Sequence, residues 1–116
     1  MAKIRKTEGL WHALGHHAKE LQPIVGTLST GILVDLQPLG WELVQTKEGP
    51  QSFSLRRGGV EYHFRPTAGL TQLVVYDRWF HDHDSQNVVA TLKTRVDTIK
   101  FIRMVAAQGK PLKAVA

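Results

Sequence analysis

A glycine pair, Gly58-Gly59, stands between two stretches that alternate apolar and polar residues, Ser52-Phe53-Ser54-Leu55-Arg56-Arg57 and Val60-Glu61-Tyr62-His63-Phe64-Arg65. Two-residue hairpin turns favour positive φ at both central positions, and glycine adopts it without a Cβ clash, so the pair predicts a tight hairpin. Placing the turn also sets the register. Phe53 then faces Phe64, Leu55 faces Tyr62 and Arg57 faces Val60 on one side of the ribbon. Ser52 faces Arg65, Ser54 faces His63 and Arg56 faces Glu61 on the other. A slip of one residue would exchange the two sets, so the pattern resists slipping. It predicts an apolar face under helices and a polar face left to water, with Arg56 and Glu61 as an opposite-charge cross-strand pair.

The rest of the chain arranges itself around that hairpin. Trp41-Glu42-Leu43-Val44-Gln45-Thr46 reads as a strand before it and Thr71 to Phe80 as a strand after it. Upstream, Leu10, Trp11, Leu14, Ala18 and Leu21 recur at helical spacing over 8–22, with Pro23 as a stop. Ile32, Leu33 and Leu36 suggest a second helix over 29–37, opened by Ser29 or Thr30 and closed by Pro38 and Gly40. Downstream, Asp84 or Ser85 is placed to cap a long helix over 86–108 that ends at Gly109 and Pro111. Its stripe of Val88, Val89, Leu92, Val96 and Ile99 would pack on the sheet. This order predicts one α+β domain over 1–116, an antiparallel four-stranded meander (41–47, 51–57, 60–65, 71–80) packed on one face by N-terminal helices and a long C-terminal helix. Basic flexible tails are expected at about 1–6 and 110–116.

Charge narrows the choice of partner. The chain carries 15 Lys and Arg against 10 Asp and Glu, a formal +5. Lys3, Arg5 and Lys6 precede the first expected element, and Lys110 and Lys113 follow the last. Removing these five leaves a formally neutral body. Basic arms on a neutral body hold polyanions through counterion release and do not make a basic groove. The chain has no cysteine, which excludes disulfides, thiolate metal sites and a cysteine nucleophile. Its apolar runs fall far short of the roughly 18 residues that cross a bilayer. Thr7-Glu8-Gly9 interrupts what would otherwise open like a signal peptide, so a cytoplasmic location is expected.

Four groups of residues carry chemistry. The polar ribbon face offers Arg56, His63 and Arg65, with Arg57 at its tip, as cations that aromatic neighbours such as Trp41 or Tyr76 would complement for nucleic acid. His81-Asp82-His83-Asp84 places two imidazoles two residues apart, and His63 or Asp77 would complete a divalent-metal site; the same segment also serves as a capping loop. Glu8, His12, His16 and Glu20 form a four-residue ladder, without the Glu that a zinc protease needs directly after its first His. Phe101, Met104 and Val105 project away from the expected stripe of the last helix, toward the N-terminal helices or another subunit. The leading expectation is a small non-enzymatic binding module. It would associate with nucleic acid through Lys3, Arg5, Lys6, Arg56, Arg57, His63 and Arg65, with no cofactor. One alternative is a protein-binding adaptor or inhibitor acting as a homodimer through Phe101, Met104 and Val105. Another is a metal-dependent hydrolase built on His63, His81 and His83.

Overall fold

The computed structural model describes the backbone of residues 6–15, 18–46, 51–79 and 82–108 and, within them, all side chains except those at 6–8, 78–79 and 82–86. Helix α1 (Lys6–Ala13) is followed by a 3-10 turn (Lys19–Leu21), α2 (Gln22–Gly31), a π-helical turn (Ile32–Leu36) and a second 3-10 turn (Gln37–Leu39). Five strands come next: β1 (Glu42–Gln45), β2 (Phe53–Arg57), β3 (Val60–Pro66), β4 (Leu73–Trp79) and β5 (Asp82–Leu92). Helix α3 (Arg95–Ala107) follows them. The strands make one antiparallel sheet in sequence order, so the class is α+β as expected, with five strands instead of four.

The hairpin has the expected register at every recorded pair from Phe53↔Phe64 to Arg57↔Val60. Its turn differs in one detail. Gly58 alone of the pair has positive φ, at 61°, the arrangement in which only the first central residue needs to be glycine. Phe53 and Phe64 stack with centroids 4.8 Å apart, and Phe101 of α3 meets Phe64 and Tyr62 edge-on at 5.5 Å. Leu55, Leu73, Val75 and Leu92 complete the sheet's contribution to a core that Leu10, Leu14, Leu21, Ile24, Leu28, Ile32 and Leu36 close from the helical side.

Three expected elements are corrected. The helix expected over 8–22 ends at Ala13, where Gly15 takes φ 72°; Pro23 starts α2 because a proline in the first turn gives up only an N–H that lacks a helical partner. Ser29, expected as a cap, lies inside α2 and donates to the Val25 carbonyl at 2.8 Å. Gly40 does end this passage, with φ 91°.

The third correction is at the C-terminal side. Residues 86–92 belong to β5, so Val88 and Val89 are exposed and do not form a helical stripe. The helix begins only at Arg95, because Thr94 caps it: its Oγ1 accepts the Asp97 N–H at 3.2 Å while Asp97 Oδ2 accepts the Lys93 N–H at 3.0 Å. Among the described residues, no helix is long and apolar enough to cross a membrane.

Candidate functional site

The outer face of the sheet, opposite the helices, carries Ser54, Glu61 and His63, all at 0% exposure. Cross-strand pairing sets Ser54 beside His63 and Arg56 beside Glu61. The Ser54 hydroxyl donates to Glu61 Oε2 at 3.0 Å, and its oxygen lies 3.1 Å from His63 Nδ1. The Arg56 Nε–H donates to Glu61 Oε1 at 2.6 Å. Both carboxylate oxygens are thus held, one by a neutral donor and one by a charged donor, which lets an ionised group stay buried. A serine, a histidine and a carboxylate in contact invite comparison with a hydrolase. Here the serine sits between the other two and all three are closed to solvent, so no substrate carbonyl can reach the hydroxyl. The array is a clamp between β2 and β3.

The expectation of a solvated contact face is therefore corrected. His63 is closed off with Ser54. Arg57 is buried on the inner side, its guanidinium 4.8 Å from the Trp41 ring centre and its Nη1 donating to the Leu39 carbonyl at 3.4 Å. Trp41 stacks on Tyr62, so it too belongs to the inner side, and burial raises the Tyr62 hydroxyl above its usual 10.0 while a hydrogen bond to Gln108 opposes that rise. Arg56 keeps partial exposure and Arg65 is exposed, lying 5.1 Å over the Tyr76 ring. Lys3 and Arg5 lie outside the described residues, and Lys6 is described in its backbone only, as the first residue of α1.

The other groups separate as well. Phe101 and Val105, expected to meet either the N-terminal helices or another subunit, are core residues of this chain, which removes them from an interface between chains; Met104 alone of the three is exposed. His81 lies outside the described residues, and His83 belongs to β5 with only its backbone described. Among the described residues, no three potential ligands gather into a metal site. The Glu8 to Glu20 ladder is not one stripe, since α1 ends at Ala13 and Glu20 falls in a separate 3-10 turn; His16 is outside the described residues.

What the structure does assemble is a groove of about 530 Å³ between α2 and α3. Gly26, Thr27, Thr30, Gly31 and Val34 line one wall, and Arg95, Ile99, Ile102 and Arg103 the other. The helices come together at Gly31, where a Cβ would lie 2.2 Å from Ile102 Cδ1, so only glycine lets them sit at this distance. The π-helical turn carries Val34 and Asp35 to one end of the groove. Such turns recur at functional sites because the extra residue re-aims side chains that a regular helix would hold elsewhere. Arg95 and Arg103 are exposed, and neither rim guanidinium forms an ion pair with a described carboxylate. The signal in the sequence was the four-residue spacing of Arg95, Ile99 and Arg103, hidden by assigning Ile99 to an inward stripe begun at Val88. No family model, curated protein or solved structure matches the chain.

Proposed function

We propose that this chain is a non-enzymatic binding module and that the groove between α2 and α3 is where it takes its partner. One observation carries the reading: an apolar floor, Ile99 and Ile102, is flanked by two guanidinium groups that form no ion pair with a described carboxylate and outnumber Asp35, the one acid in the lining. The surroundings agree. Val34 and Val96, at 64% and 60% exposure, are the two most exposed large apolar side chains among the described residues; one lines the groove and the other follows Arg95. Exposed apolar surface rimmed by charge is the usual mark of a recognition surface.

The test uses an amphiphilic anionic dye, anilinonaphthalene sulfonate, whose rings suit the floor and whose sulfonate suits the arginines. Saturable one-to-one binding to the folded protein is expected. Ile99→Asp should abolish it while the circular dichroism spectrum is kept. Binding that Ile99→Asp leaves untouched would sink the reading.

A second reading, nucleic-acid association, is supported by the excess of five positive charges, which the sequence concentrates near its two ends. Retention of a 20-nucleotide single strand should then fall steeply with salt, and removing the first six residues should flatten that slope.

A further inference from the structure

We infer that the partner taken by the groove is an amphipathic α-helix of another protein, carrying carboxylates on the flank that meets α3. This rests on the groove being the binding surface.

The helical form of the partner follows from the hydrogen bonds of the wall. Thr27 Oγ1 donates to the Pro23 carbonyl at 2.9 Å and Thr30 Oγ1 to the Gly26 carbonyl at 3.0 Å, so both hydroxyls are engaged within α2. The backbone of a helix interior is likewise paired with itself. The α2 wall therefore offers methyl groups and glycine surface, with its hydroxyl protons already committed and Asp35 as an acceptor at the π-helical turn, so it has no free donor. An extended peptide laid against it would lose water from its own C=O groups and find no donor on this wall in exchange. A helix brings its backbone already satisfied, and it alone among regular elements can be desolvated against this wall without that cost. Small residues at 26, 27 and 30 also leave room for close approach, since a Cβ built on Gly26 meets nothing within 4 Å. Two walls with a third helix between them is the helix-in-groove mode of recognition.

The charge of the partner follows from the other wall. Arg95, Ile99 and Arg103 recur every four residues and so share one stripe of α3, with the arginines about 12 Å apart along the axis. A carboxylate at each end of an apolar stripe two turns long matches that spacing, because residues seven or eight apart on a helix also share a face. Desolvating a guanidinium against a neutral residue would cost affinity, whereas each matched carboxylate gives a bidentate contact. Asp35 sits on the opposite wall and disfavours acids on the partner's other flank, so the acidic residues must be confined to one side.

The experiment titrates the full chain with an 18-residue synthetic helix bearing an i, i+3, i+4, i+7 leucine stripe and glutamates along one flank. Three companions are used: a scrambled isomer, the same helix with lysine for glutamate, and the 20-nucleotide strand. Amide shifts of Gly26 and Gly31 report the site. The glutamate helix is expected to bind with those two amides moving and with peptide helicity rising, and at least ten times more tightly than the scrambled isomer. Arg95→Glu combined with Arg103→Glu should weaken the glutamate helix tenfold or more and should gain affinity for the lysine helix, an exchange that a merely structural role for these residues would not produce. Equal binding of the scrambled isomer, binding of the oligonucleotide at the same amides, or a concentration-dependent dimer that occupies the groove would each overturn the inference. Dye binding that Ile99→Asp removes, without any peptide binding, refutes the helical partner while leaving the groove reading intact; loss of both refutes both.

Discussion

At its centre the hairpin hides both faces from water equally, and it holds them by opposite means. On the inner face, Phe53, Leu55, Tyr62 and Phe64 pack against α3 and the N-terminal helices, and their stabilisation is the non-directional burial of apolar area. On the outer face, Ser54, Glu61 and His63 are as buried, yet they contribute through directional contacts, among them those at 2.6, 3.0 and 3.1 Å, that tolerate little displacement. The difference teaches that alternation in a strand assigns sides, while exposure depends on what lies over each side. A polar side chain can be a core residue when its neighbours across the ladder satisfy it.

The sharpest way to break the comparison is to empty the inner face. Phe64→Ala removes a ring stacked on Phe53 and touched edge-on by Phe101, and should cost about 3–5 kcal/mol in urea unfolding. In a domain of this size that leaves little net stability. A loss near 1 kcal/mol would mean that the rings are not packed as described.

The outer face responds to chemistry at constant shape. Glu61→Gln keeps the volume but replaces an acceptor of both the Ser54 and Arg56 hydrogen bonds with a group that donates from one end, and should cost about 1–3 kcal/mol. The Arg56 side of the pair is partly solvated, which holds the value below that of a fully enclosed ion pair. Because Glu61 itself is enclosed, the loss should persist in 0.5 M salt, where an exposed pair would be screened. A neutral result would show that water reaches this face.

These two faces also mark what was legible from residues alone. Sidedness was fully legible, since one glycine pair and strict alternation leave a single register that covers every residue of the hairpin. Coverage was not, because nothing within Ser52–Arg57 or Val60–Arg65 states what packs above them; His63 therefore read as a contact residue and is a buried one. The stretch from Val88 to Ile99 departs from its sequence pattern for a different reason. Its apolar residues fit a helical stripe, and Asp84 and Ser85 offer a cap for it, while the cap that forms is Thr94, three residues before Asp97. The groove escaped with it, since Arg95, Ile99 and Arg103 form a stripe only once the helix begins at Arg95.

The smallest expected effect tests the turn that keeps the faces apart. Gly58 has φ 61° and a Cβ added there would meet nothing within 4 Å, so Gly58→Ala is opposed by backbone strain alone, about 1–2 kcal/mol. Gly59 lacks positive φ, and Gly59→Ala should be neutral or stabilise by up to about 1 kcal/mol through the reduced freedom of the unfolded chain. The asymmetry separates the observed turn from one with both residues left-handed, in which the two substitutions would cost alike. It also bears on the faces themselves: if strain at Gly58 were relieved by a one-residue slip, Phe64 would move to the outer side and His63 to the inner, and amide contacts across the Ser54↔His63 pair would vanish from the Gly58→Ala spectrum. Their persistence in the variant would show that burial on both sides, and not the turn alone, maintains the register.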